Sequence, residues 1–156
     1  MTTELQNLQI NNVAEIQIMY STKYKSSEMP KIERSKEAYD VLINFWPVER
    51  LEYQEDFYIL ILNRANKVIG LCHISKGGTT ATVVDLKIVF SVALKANAQA
   101  LIFAHNHPSG NLNPSKADID LTRRAREVAL LLDMQILDHI IISQSGFHSM
   151  ADSGDL

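Results

Sequence analysis

The run HNHPSGNLNPSKAD, His105 to Asp118, sets three side chains able to bind zinc on one short stretch: His105, His107 and Asp118. The apolar segment ALIFA, Ala100 to Ala104, reads as a buried strand that delivers the histidines at its end. Alternation along a strand points residues i and i+2 to the same side, so both imidazoles can face one ion. After a loop rich in Pro, Gly and Asn, Ser115 has the character of a helix N-cap, which puts Asp118 in the first helical turn, able to fold back toward the histidines. Two His and one carboxylate, with a fourth position left for water, form the ligand set of a hydrolytic rather than a structural zinc site. A plainer reading uses the same residues. S-x-x-D at a helix start is also a capping box, in which Ser115 accepts from a backbone N–H near Asp118 and the carboxylate favours the positive end of the helix dipole. H-x-H at a strand end is, taken alone, often polar decoration. The deaminase pattern H-x-E…P-C-x-x-C is absent, because His105 is followed by Asn-His and Cys72 is the only cysteine.

The spacing His105-x-His107, seven residues, Ser115, two residues, Asp118 resembles the JAMM motif of the JAB/MPN metalloenzyme family. More narrowly, HNHPSG, the following PSKAD, the segment LDHIII and the GG-T stretch at Gly77 are similar to the bacterial RadC family, over a span from Glu49 to the C-terminus. The resemblance implies that His105, His107 and Asp118 hold Zn2+ and that Ser115 orients or stabilises the reacting oxygen. It also implies an upstream catalytic Glu two positions before the aromatic residue that opens the first core strand. That acid is Glu55, two before Phe57, with Glu52 and Asp56 as neighbours that could be mistaken for it. Read without the resemblance, Glu55 is a solvated acid at a strand entrance. The implied activity is that of a zinc-dependent metallopeptidase or isopeptidase acting on a peptide or protein substrate. Glu55 would pass a proton from water to the leaving nitrogen, and Ser115 would donate toward the developing oxyanion. Asn106 stands where many eukaryotic members have a small hydroxyl residue, and Asn there is the RadC pattern. Full-length RadC proteins carry an N-terminal helical DNA-binding region, and the segment before Glu49 is shorter and more polar than such a region, which weakens the DNA-repair role that the family name suggests.

Composition agrees with one compact enzyme. A chain of 156 residues with 46% hydrophobic content suits a single domain with a sizeable core. Cys72 cannot form an internal disulfide, and its setting in VIGLCHIS suggests a buried small apolar residue in a reducing cytoplasm. The N-terminus has no basic segment followed by an apolar core, and no apolar run approaches the ~18 residues that span a bilayer, so neither export nor membrane insertion is expected. A net charge of −3 argues against general affinity for nucleic-acid phosphates. One local exception lies between Lys23 and Lys36, where Lys23, Lys25, Lys31, Arg34 and Lys36 outnumber Glu28 and Glu33. A solvated linker is the simplest account of so short a tract, leaving room for a weak DNA or protein contact. The alternative to an enzyme is therefore a non-catalytic DNA- or protein-binding module, tied to DNA repair or a mobile element, whose metal braces the loop.

The elements that must position these residues can be placed along the chain. A polar leader covers residues 1–34, with room for a short helix or strand before the break at Met29-Pro30, and the RadC-like domain covers 35–156. Ser35 can cap a helix that runs to Trp46 and ends at Pro47. Phe57 to Leu62 and Lys67 to Ser75 read as a hairpin around Asn63 to Asn66. Gly77 and Gly78 make a loop that is no phosphate cradle, because no Gly-Lys-Ser/Thr follows. Asp85 caps a helix through Lys95, a long helix covers Lys116 to Leu132, and Ile136 to Ser143 with Phe147 to Met150 close the sheet. Arg123, Arg124 and Arg126 form the wet side of the long helix. Strands interleaved with helices indicate an α/β domain, a mixed sheet flanked by helices. The resemblance narrows it to the cytidine-deaminase-like JAB/MPN fold. His139 is either a strand residue bonded to neighbouring backbone or a group close to the metal site, and His73 and His148 have no assigned role.

Overall fold

The structure, a computed structural model, describes residues 21–78 and 83–156. The expected N-terminal element lies largely outside them, as do residues 79–82 of the loop after Gly78. In chain order the elements are α1 (Ser35–Phe45), β1 (Asp56–Leu62), β2 (Val68–Lys76), α2 (Leu86–Lys95), β3 (Ala100–Asn106), α3 (Lys116–Leu131), β4 (Gln135–Ser143), β5 (Gly146–Ser149) and α4 (Met150–Ser153). The strands form one sheet in the order β2-β1-β3-β4-β5. β3 and β4 run parallel, joined through α3, and every other neighbouring pair is antiparallel.

Strands β1 and β3 are buried along their whole length, because helices cover both faces of the sheet. This is why DFYILIL and ALIFA read as continuous apolar runs without alternation. Alternation reappears in what each residue touches. Tyr58, Leu60, Leu62, Ala100, Ile102 and Ala104 pack with Ala38 and Leu42 of α1. Phe57, Ile59, Ile61, Leu101 and Phe103 pack with Val89 and Phe90 of α2 and with Ala125 and Ala129 of α3. His105 continues the second series and faces α3, whereas Asn106 faces the α1 side.

The hairpin turn between β1 and β2 closes as its composition predicts. Asn63 accepts from the Ala65 and Lys67 amides at 2.9 and 3.1 Å, and Asn66 takes a left-handed φ of 56°, which asparagine tolerates. Asp85 caps α2 by accepting from the Lys87 amide at 2.8 Å. Three local expectations are corrected. The N-cap of α1 is Arg34, because the Glu37 carboxylate reaches back to the Glu33 and Arg34 amides at 2.5 and 3.0 Å, and Ser35 is freed to donate to Asp152. Met150 opens α4 instead of ending β5, since Ser149 accepts from the Asp152 amide at 3.1 Å and starts a helical turn there. Cys72 is only half-buried, because β2 is the edge strand.

Residues before α1 also join the sheet. Lys31 bridges to Lys67, Val68 donates to the Pro30 carbonyl at 2.8 Å, and Ile32 is buried in the α1 core. Among the described residues, no helix is long and apolar enough to cross a membrane.

Candidate metal centre

In open α/β sheets, ligands bind beyond the carboxyl ends of the parallel strands. β3 ends there in His105 and Asn106, and the next element, α3, begins with Ser115 as N-cap and Asp118 in its first turn. The β3-to-α3 loop closes the gap. The His107 amide still donates to the Ile142 carbonyl of β4 at 2.9 Å, so His107 leaves the sheet only after its position is set.

His105, His107 and Asp118 converge, with one ligand atom from each lying within 4.8 Å of the others. The two Nε2 atoms stand 2.8 Å apart, and the Asp118 oxygens lie 3.2 Å from that of His105 and 3.6 Å from that of His107. His107 Nδ1 is 2.5 Å from the Asn111 carbonyl oxygen, which can only accept, so Nδ1 carries a proton and the metal-facing nitrogen of the neutral ring is bare. Two imidazole nitrogens facing each other beside a carboxylate need a proton or a metal cation between them, and this donor set fits a divalent ion such as zinc. Side-chain exposure is 1% for His105 but 16% for His107 and 12% for Asp118, so the centre opens to solvent on the side of His107 and Asp118.

The electrostatics agree with that geometry. Burial alone would raise the Asp118 pKa, but hydrogen bonds from His105, His107 and Ser115 carry it far below the usual carboxylate range. The His107 pKa is raised, chiefly by its hydrogen bond to Asp118, against the opposing effect of burial, with smaller contributions from the Asn111 carbonyl and the charges of Asp118 and Glu55. The capping box and the metal cluster coexist. Asp118 accepts from the Ser115 amide at 2.7 Å and Ser115 Oγ accepts from the Asp118 amide at 3.2 Å, which fixes the carboxylate that faces the histidines.

The RadC-like JAB domain family model matches residues 32–155. The chain belongs to this family. A UPF0758 protein of Flavobacterium johnsoniae is 41% identical over 127 residues, covering 81% of this chain and 54% of that protein. One of Porphyromonas gingivalis is 36% identical over 135 residues, covering 86% of this chain and 60% of its own length. One of Staphylococcus aureus is 40% identical over 124 residues, covering 80% and 56%. The chain thus spans little more than half the length of these relatives.

Within this RadC-like JAB domain, Glu55 is buried just before β1. Phe57 pairs with His105 where the β1–β3 ladder ends, and the Glu55 charge lies close enough to His107 to contribute to that ring's raised pKa. Ser115 lies beside Asp118, its Oγ accepting from the Asp118 amide and its side chain also helping to hold the Asp118 carboxylate charged.

Asn106 and Thr122 carry parts of the site that sequence reasoning did not assign, and His139 takes the second of its two readings, a group close to the metal site. Asn106 is fully buried between the two histidines. It donates to the Leu51 and Gln54 carbonyls at 2.8 Å each and accepts from the Asp56 amide at 2.7 Å, tying the Glu55-bearing segment to the histidine strand. His139 is bonded to side chains and not to neighbouring carbonyls: its Nε2 lies 2.8 Å from His105 Nδ1, and its Nδ1 lies 2.6 Å from Thr122 Oγ1. Burial pushes the His139 pKa well below the ordinary imidazole value, and the nearby His105 acts in the same direction. Only Thr122 left a local signal, one helical turn after Asp118 on the same face of α3.

Away from the centre, His73 Nε2 and Arg50 both bond the buried Asp56 carboxylate, at 2.8 and 2.7 Å. Arg123, Arg124 and Arg126 are exposed, and Arg123 pairs with Glu127 at 2.9 Å. Lys23, Lys25, Lys31 and Arg34 of the leader and Lys36 of α1 are exposed, and Lys31 pairs with Glu33 and Lys36 with Asp40.

Proposed function

We propose that this chain is a zinc-dependent hydrolase of the JAMM type, cleaving a peptide or isopeptide-like amide. The observation that carries the reading is the convergence of two imidazole Nε2 atoms and one carboxylate on a single, partly open point. His105, His107 and Asp118 would hold the ion. A zinc ion bound by two His and one carboxylate polarises a carbonyl and brings the pKa of its water to near 7. Glu55 accepts a proton from the attacking water at its carboxylate and returns it to the leaving nitrogen, acting from the side of His107. Ser115 donates its hydroxyl proton toward the developing oxyanion, while the Asp118 amide holds its Oγ in place.

Elemental analysis of protein purified without added metal tests the ligand set first. About one zinc per native chain, lost in His107→Ala and Asp118→Ala, is expected. Glu55→Gln should then bind zinc as the native chain does while abolishing turnover of a peptide library, and retained turnover would remove Glu55 from its role. No zinc uptake, together with a salt-sensitive DNA affinity that survives His107→Ala, would replace the hydrolase with the binding module.

A further inference from the structure

His105 sits in a hydrogen-bond circuit that fixes which of its nitrogens faces His139 with a proton when the His139 ring is neutral. Thr122 Oγ1 lies 2.6 Å from the Asp118 backbone carbonyl, which can only accept, so the single hydroxyl proton points there. Toward His139 Nδ1, 2.6 Å away, the hydroxyl can then only accept, so that nitrogen carries the proton of the neutral ring. His139 Nε2 is left with a lone pair, and it accepts from His105 Nδ1 at 2.8 Å. With its Nδ1 proton committed to His139, His105 turns Nε2 to His107 and Asp118, where the one position between the two Nε2 atoms takes either a shared proton or a metal ion.

We infer that His139 and Thr122 are positioning residues that lock His105 in the Nδ1–H tautomer, holding its Nε2 lone pair ready for a metal ion. The circuit ends on the backbone of Asp118, so the orientation of one ligand is tied to the helix that carries another. Packing stiffens it. His139 has no exposed surface, and its ring meets Phe57 and Phe103 edge-on at 5.6 and 5.7 Å, while Phe57 stacks on His105 at 6.2 Å. The partner of a metal-binding imidazole is usually a carboxylate or carbonyl, which can only accept. A neutral imidazole must itself be told which nitrogen to protonate, and Thr122 does this. Changing Thr122 therefore alters His105 from two bonds away.

The inference rests on the proposed metal site only for its purpose, and the tautomer can be read without metal. In chelator-treated, 15N-labelled protein, long-range imidazole correlations should show His105 protonated at Nδ1 in the native chain. Thr122→Val, which keeps the shape and removes the hydroxyl, and His139→Leu should mix the two tautomers of His105. Both should weaken zinc binding about 10- to 100-fold in competition with a chromogenic chelator. Thr122→Ser and His139→Gln, which keep a hydroxyl and an acceptor, should restore the Nδ1–H form and most of the affinity. If His139→Leu does not fold, Thr122→Val carries the test. A native His105 bare at Nδ1, or both Thr122→Val and His139→Leu matching the native tautomer and affinity, overturns the lock. A locked tautomer in a native chain that takes up no zinc supports the lock and overturns the metal reading.

Discussion

Asn106 shows how much one buried amide can hold. Its three strong hydrogen bonds join β3 to the segment from Leu51 to Asp56, and a buried polar group left without its partner costs roughly 1–3 kcal/mol. Asn106→Ala is expected to lower stability by about 3 kcal/mol in urea unfolding. Asn106→Asp, of equal size, should be destabilising as well, because a carboxylate oxygen would then face two carbonyls; an Asp variant as stable as the native chain would show that shape, not hydrogen bonding, matters here. Cys72 makes a second case at this scale. Burial raises its thiol pKa, so less thiolate exists at neutral pH than for free cysteine. Alkylation by iodoacetamide should be slower than for free cysteine at pH 7 and should accelerate only as pH climbs past the ordinary thiol value. A rate equal to that of free cysteine would contradict this.

The first turn of α3 does two tasks with one set of bonds. Ser115 satisfies the Asp118 amide, and Asp118 satisfies the Ser115 amide with the oxygen that also faces His107 while turning the other to His105. Ser115→Ala removes the cap acceptor and should cost about 1 kcal/mol of stability. That loss is smaller than expected for Asn106→Ala because the cap is only part-buried. If Ser115 also donates to an oxyanion, kcat should fall by about 100-fold in the same variant, far more than a 1 kcal/mol change in folding could produce. Strand β4 supplies a second element-level device. Its pairing with β3 slips between Leu101 and Ile102, whose partners are Ile136 and Asp138. Leu137 is the extra residue, and the slip turns His139 to the same face as Phe103 and His105. Strict alternation from Ile136 would have aimed it at α1.

For the whole molecule, the centre joins β3, the loop after it and α3, so an ion held there ties the sheet to a helix. Zinc at about 100 times its Kd should stabilise the fold by about 2.7 kcal/mol. In a chain of this size that corresponds to a rise in Tm of about 5–10 °C. A chelator should reverse the shift in thermal unfolding, and His107→Ala should show none. A native chain that binds zinc without any change in Tm would place the ion outside the folded framework.

Local chemistry was legible in the sequence because it is local. The His105, His107, Ser115 and Asp118 spacing lies within one loop and its two flanks, the apolar runs announced β1 and β3, and Asp85 and Ser115 announced the starts of α2 and α3. What only the tertiary structure decided involves partners far apart in the chain. Asn106 bonds residues some fifty positions earlier, the Glu55 charge acts on His107 from outside the loop that carries it, and His139 reaches His105 through a slip that breaks the period-two rule. Side-chain type and spacing specify which groups can bind a proton or an ion. Where a buried amide or imidazole finds its partner is set by which strands lie side by side, and that is a property of the folded sheet.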